Sequence, residues 1–232
     1  MSSPLTGIGS IATRHVLAEL ADTYLQQFGQ PFTVESIGGV DAVRRVQAGE
    51  PFDFVVLASS ALDALISSGH LLSHGRIDFA RSGVAVGVKA GAPRPDIASE
   101  AAVREAVLKA HRVGYSTGPS GVYLIRLFER WGVTNSLANR LVQAPPGVPV
   151  GTLIARGEVA LGFQQLSELM HLPDVDVVGM LPPEIQVLTV FSAAVCRAGS
   201  RPEVTAALLS FLASPETDDA KRRHGMEPAR AA

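Results

Sequence analysis

Within about 70 residues the chain sets an extended apolar segment ahead of a helical one three times in succession, and that order limits what it can become. A strand that returns to its own sheet through a helix must run parallel to its predecessor, because the crossover has to cover a sheet face. Leu5 to Ile8 reads as the first strand. A helix follows in which Val16, Leu17, Leu20, Ala21, Tyr24, Leu25 and Phe28 recur at helical spacing. Pro31 opens a second strand, Phe32 to Ile37, and Gly38-Gly39 turns into a helix from Asp41 to Ala48, ended by Gly49. Asp53 to Ala58 is a buried third strand, with Ser59 or Ser60 as N-cap of a helix from Ala61 to Ser68.

Ser82 to Lys89 is an apolar strand that crosses into a second lobe, where the pattern restarts. A helix is expected over Glu100 to Ala110, a strand over Val113 to Ser116, a turn over Thr117 to Gly121 and a helix over Val122 to Trp131. Pro149 to Arg156 and Gln164 to Met170 read as helices, Val159 to Phe163 and Val175 to Gly179 as strands. Gln186 to Cys196 crosses back, and helices Pro202 to Ala213 and Pro215 to His224 finish the chain. The expectation is an α/β protein of two lobes, residues 1–81 with 188–232 and residues 82–187, each a mainly parallel sheet flanked by helices. Two crossing strands join them, and a ligand cleft lies between.

A hydrophobic content of 47% with only 6% aromatic residues suits strands covered on both faces. The net charge of −2 gives no field for nucleic acid or an anionic membrane, so neither is an expected partner. The six histidines lack metal-ligand spacing, and no metal or cofactor is expected. Cys196, the single cysteine, follows an apolar run and reads as a buried thiol. The start MSSPLTGIGS lacks the pattern of a secretory signal. A cytoplasmic location is expected, or a periplasmic one with an ABC permease as partner if a leader has been removed.

Four turns carry the candidate chemistry: Gly9-Ser10, Gly38-Gly39, Gly118 to Gly121 and Pro149 to Thr152. Each joins an extended segment to a helix through small or hydroxyl residues, leaving helix N-terminal N–H groups where an anion is favoured. Any one of them alone is an ordinary helix start. Their recurrence in both lobes points to a small anionic ligand. Arg14 could hold a carboxylate bidentately, and the Tyr123 hydroxyl could reach the cleft. His15 falls on the solvated helix face with Glu19, Asp22 and Gln26, and the charged run Asp218 to Arg223 reads as a solvated face. Gly7-Ile8-Gly9-Ser10-Ile11-Ala12 also fits a dinucleotide fingerprint, with Glu35 as the acid near a ribose.

Val46 to Asp53, Gly121-Val122-Tyr123, Ala155 to Gly162 and Phe211 to Gly225 together resemble the periplasmic molybdate-binding protein family. That resemblance implies a two-lobed type II periplasmic-binding-protein fold. The segments Gly91-Ala92-Pro93, Ser120 to Leu124 and Leu161 to Leu169 are similar to the aconitate isomerase branch of that family. This implies a di- or tricarboxylate ligand isomerised by an allylic proton shift. Where the family offers serine hydroxyls to its oxyanion, Ala12 and Gly39 stand here, and Gln165 stands where a tyrosine is expected. The ligand-binding set expected is Ser10, Ala12, Thr13, Gly38, Gly39, Ser59, Ser116, Ser120, Gly121, Val122, Pro149, Val150 and Gln165. Tyr123 and Arg14 are the expected catalytic residues, and the general base has no candidate. A non-catalytic solute receptor of an importer is the rival reading.

Overall fold

The computed structural model describes residues 3–229. The expected first lobe runs to both chain ends, and its residues 1–2 and 230–232 lie outside the described residues. The chain begins β1 (Leu5–Ser10), a 3-10 turn (Ile11–Thr13), α1 (Arg14–Phe28), β2 (Phe32–Ile37), α2 (Gly39–Gln47), β3 (Phe54–Ala58), α3 (Ser59–Ser67) and β4 (Ile77–Lys89). It continues with α4 (Glu100–Lys109), β5 (Val113–Tyr115), α5 (Pro119–Arg130), α6 (Thr134–Leu137), β6 (Leu141–Gln143), α7 (Val150–Ala155), β7 (Leu161–Gln165), α8 (Leu166–Leu169) and β8 (Val175–Met180). Last come β9 (Leu188–Val195), α9 (Pro202–Ala213), a 3-10 turn (Pro215–Thr217), α10 (Asp218–Arg223) and β10 (Glu227–Pro228).

Contacts divide the chain into two units, one of Met1–Ser82 with Val190–Ala232 and one of Gly83–Thr189. The chain therefore changes unit inside β4 and returns inside β9. In the first unit β2, β1 and β3 are parallel, and β9 runs antiparallel on β3 from Phe54↔Val195 to Ala58↔Phe191. In the second unit β6, β5 and β7 are parallel, and β4 runs antiparallel on β7 from Val84↔Gln165 to Gly87↔Gly162. Both units thus use one order: second strand, first strand, third strand, crossing strand. β8 adds to β4 in the second unit, and β10 pairs with β4 in the first.

Successive residues of a strand face opposite sides of the sheet, so a strand covered on both sides has no polar face. In β3, Phe54 and Val56 enter a core formed with α1 and α9, while Val55 and Leu57 enter another formed with α2 and α3. In β4, Val84, Val86 and Val88 join one core of the second unit and Ala85 joins the other. The apolar run Phe54 to Leu57, wholly buried, is this arrangement written in sequence.

Several expectations are corrected. α5 begins at Pro119 rather than Val122, because Pro fits the first helical position, so Ser120 and Gly121 lie inside its first turn. α3 begins at Ser59 with Ala58 as N-cap, and the Ser59 hydroxyl is drawn instead to β9. Gln164 and Gln165 belong to β7 rather than to the helix after it, and β4 starts at Ile77, five residues before the expected Ser82. The helix expected over Pro215 to His224 divides into a 3-10 turn and α10. Its charged run is not wholly solvated, for Lys221 is buried, donating to the Leu212 carbonyl at 2.8 Å with its ammonium 5.0 Å from the Phe79 ring centre. The short elements α6 and β6 had no counterpart in the sequence reading, being too brief to show a period.

Candidate functional site

The parallel strands of each unit end together. In the first unit Ser10 pairs with Ile37 and Gly9 with Val56, so the chain leaves β1, β2 and β3 along one carboxyl edge. At that edge start the 3-10 turn leading to α1, then α2 and α3. In the second unit Tyr115 pairs with both Gln143 and Phe163, and α5, α7 and α8 start beyond the ends of β5, β6 and β7.

Most of these starts have no side-chain cap. Gly38 before α2, Ala58 before α3, Gly118 before α5, Pro149 before α7 and Gln165 before α8 are all extended N-caps without a side-chain hydrogen bond. α4, which belongs to neither edge, is capped conventionally by the Ser99 hydroxyl accepting from the Ala102 N–H at 3.2 Å. A helix start without a side-chain oxygen leaves its first N–H groups and its partial positive charge to another acceptor, which is how proteins hold small anions.

In the first unit Ser10 accepts from the Ala12 N–H at 3.3 Å, and the buried Thr13 hydroxyl donates to the Ser10 carbonyl at 2.9 Å. The Thr13 hydrogen is therefore spent within the turn, whereas Ser10, used here as an acceptor, keeps its own hydrogen to donate. Arg14 is exposed at the start of α1, with one guanidinium nitrogen 3.1 Å from His15 Nε2. Gly39 has nothing within 4 Å of where a Cβ would stand, and Val40 beside it is 65% exposed. His15 is half-buried and stacks on His224 at 6.2 Å, correcting its solvated reading. Glu19 binds the His224 ring at 2.7 Å and also Arg223; hydrogen bonding from Arg223 is the main cause holding its carboxyl below the ordinary range.

In the second unit the Ser116 hydroxyl accepts from the Gly118 N–H at 3.3 Å and lies 3.1 Å from the Ser120 hydroxyl. A Cβ on Gly121 would stand 1.8 Å from the Ser116 carbonyl oxygen, so only glycine lets α5 leave β5 this tightly. Val122, next in the turn, is 52% exposed. An open depression of about 310 Å³ beside these residues is lined by Tyr115, Gly121, Val122, Ile125, Arg126, Glu129 and Gln143. The Val150 side chain is buried, and the Gly151 N–H at the start of α7 donates to Gln164 Oε1 at 3.2 Å. Gln165 is 3% exposed and donates to Thr189 Oγ1 at 2.8 Å. Tyr123 donates its hydroxyl proton to the Ile185 carbonyl at 2.7 Å, and burial raises its pKa. Its proton is used inside the second unit, which differs from the expected reach toward a ligand.

The glycines of the dinucleotide-like run serve packing. A Cβ on Gly7 would stand 2.4 Å from the Phe54 ring, and Gly9 is bounded by Val34 and the Val56 carbonyl. Glu35, the would-be ribose acid, is ion-paired with Arg45, which also holds Glu50 at 2.7 Å. Cys196 is buried, and burial, with the charge of Asp53, pushes its thiol up to about 12. Among the described residues no group of three or more His, Cys, Asp or Glu could hold a metal ion, and no helix is long and apolar enough to cross a membrane.

The sequence reading missed one cluster. Ser59 Oγ lies 2.6 Å from Ser192 Oγ on β9, Ser192 Oγ lies 2.6 Å from Asp78 Oδ1 on β4, and Arg76 donates to both Ser192 and Asp78 at 3.2 and 3.0 Å. Ser59 stood among the expected ligand-binding residues, but of its link to Ser192 the sequence showed only a lone serine inside the apolar β9 run.

Residues 5–227 match the family model of bacterial extracellular solute-binding proteins. An aconitate isomerase from Pseudomonas sp is 37% identical over 233 residues, covering 98% of this chain and 88% of that protein. Among solved structures, the periplasmic molybdate-binding protein of Azotobacter vinelandii superposes with a TM-score of 0.81 at 17% identity, over 97% of this chain and 100% of that one. The sulfate-binding protein SubI of Mycobacterium tuberculosis gives 0.78 at 15% identity, over 98% and 88%. At such identities the two structures speak for the two-lobed fold alone.

Proposed function

We propose that this chain, which belongs to the family of bacterial extracellular solute-binding proteins, binds a di- or tricarboxylate and isomerises it by an allylic proton shift. The observation that carries the substrate is the 37% identity to an aconitate isomerase across 98% of the chain. The site chemistry agrees with an organic anion. Uncapped helix starts supply donors for carboxylates, while Ala12 and Gly39 offer no hydroxyls to an inorganic oxyanion, and the exposed Val40 and Val122 suit a carbon skeleton. Carboxylates gripped at helix N-termini are also where dienolate charge would develop, so the binding groups can stabilise the transition state.

The test is incubation with trans-aconitate in heavy water followed by proton NMR. The expected result is appearance of the cis isomer with loss of allylic proton signal. Thermal shift should show about 2.7 kcal/mol of stabilisation at a hundredfold excess over Kd. Molybdate stabilising where polycarboxylates do not would overturn the ligand.

A second reading, a solute receptor serving an ABC importer, is favoured by the family itself and by its molybdate- and sulfate-binding relatives. Binding of aconitate without turnover or exchange would select it.

A further inference from the structure

We propose that Ser59 is the proton acceptor of this isomerisation, backed by a relay through Ser192 to Asp78; the inference deepens the function proposed above and rests on it. Ser59 is the half-buried first residue of α3, at the carboxyl edge of the first unit. Its hydroxyl has two inward partners, Ser192 Oγ at 2.6 Å and the Val190 carbonyl at 3.1 Å. Ser192 is fully buried, while Asp78 keeps 47% of its side chain exposed.

The direction of these bonds follows from what each group can do. A guanidinium only donates and a carboxylate only accepts. Arg76 therefore donates to Ser192, and the single Ser192 hydrogen is spent on Asp78. Between the two serines only Ser59 is left to donate. With its hydrogen held inward, toward Ser192 or the Val190 carbonyl, Ser59 can offer outward only lone pairs. A hydroxyl in that state cannot donate to an anion; it can accept a proton.

The step balances. One allylic C–H bond breaks, and its electron pair enters the conjugated acid as the dienolate. The proton bonds to Ser59 Oγ while the Ser59 hydrogen passes to Ser192 and the Ser192 hydrogen to Asp78, which becomes neutral. Reversal delivers a proton to the other allylic carbon, moves the double bond and restores the Asp78 carboxylate. The charges facing Asp78 are Arg76 at 3.0 Å and, beyond it, Asp63, 3.7 Å from the same guanidinium. The proton is returned along the same bonds when the dienolate is reprotonated. While it resides on a half-exposed carboxyl it can exchange with water.

Ser59→Ala, Ser192→Ala and Asp78→Asn test this with trans-aconitate, measuring Kd by calorimetry and kcat and deuterium incorporation by NMR. Loss of a general base should lower kcat by about a hundredfold or more in each, with Kd held within about twofold. Ser192→Ala leaves the Arg76–Asp78 pair in place, so it decides the matter if Asp78→Asn fails to fold. A tenfold loss of affinity in Ser59→Ala with kcat unchanged would make Ser59 an anion donor and overturn the relay. So would wild-type turnover in all three variants, and that result leaves the proposed function standing. A wild-type protein that does not isomerise aconitate overturns both.

Discussion

In the first unit the order β2-β1-β3-β9 ends each parallel strand at a helix start, and in the second β6-β5-β7-β4 does the same, yet equivalent positions carry different chemistry. Ser59 opens the helix after β3, whereas Leu166 opens the helix after β7. Ser192 pairs with Leu57 on the crossing strand, and the matching partner of Gln164 is Ala85. The second unit therefore has no hydroxyl pair at this place, and Gln164, Gln165, Ser116 and Ser120 bond among neighbouring side chains and backbone. A shared backbone plan fixes where helix starts lie; the side chains decide what chemistry each edge presents.

The largest expected effect separates the two edges by their glycines. Gly121→Ala forces a methyl into the Ser116 carbonyl and should cost about 3 kcal/mol in urea unfolding, with partial loss of folded protein. Gly39→Ala meets nothing within 4 Å and should change stability by less than about 1 kcal/mol, in the stabilising direction. Equal losses in both would break the contrast between a packed edge and an open one.

Next is Gly38→Asp, which gives α2 the side-chain cap it lacks; its backbone angles of −59° and 137° admit any residue. The ligand-free protein should gain about 1 kcal/mol while polycarboxylate affinity falls about tenfold, because the new carboxylate occupies the anion's electrostatic position. Unchanged affinity by calorimetry would remove α2 from the site.

Arg14→Ala and Ser120→Ala sharpen the comparison further. Arg14 is exposed, so its loss should leave Tm alone and weaken binding about tenfold, as for a hydrogen bond to a charged group worth about 1.5 kcal/mol. Ser120 is buried against Ser116, so its loss should cost about 1 kcal/mol of stability and leave Kd within about twofold.

The smallest effect is in acid. Hydrogen bonding lowers the carboxyl pKa of Glu19 in the first unit, chiefly from Arg223, and of Glu100 in the second, chiefly from the Trp131 indole N–H at 2.5 Å. A carboxyl whose folded pKa lies below its unfolded one binds more protons when unfolded. Its contribution is present at neutral pH and fades as pH falls through the lowered pKa. Glu19→Gln and Glu100→Gln should each make the loss of Tm on acidification slightly shallower, and a steeper loss would reverse the sign.

Long periodic elements were legible in the sequence. The helical spacing of Val16 to Phe28 and the bounds of β2 and α9 coincide with the structure, since a side-chain period is a local property of consecutive residues. Boundaries at short elements were less legible. Gln164 and Gln165 have no strand signature of their own and become strand only by pairing with Ala85 and Val84. The turns at Ser10, Gly38 and Ser116 could be read as helix starts, but the direction of their hydroxyls could not.

By itself the sequence determined the α/β order and the places where strands give way to helices, through periodicity, glycine and proline. Only the tertiary structure decided which hydroxyls bond inward and which side chains meet. Ser59 and Ser192 are 133 positions apart and Ser192 and Asp78 114, so no local pattern links them. Their contact depends on the register of β9 on β3, which sets Leu57 against Ser192, and that register is fixed by burying both faces of the sheet at once.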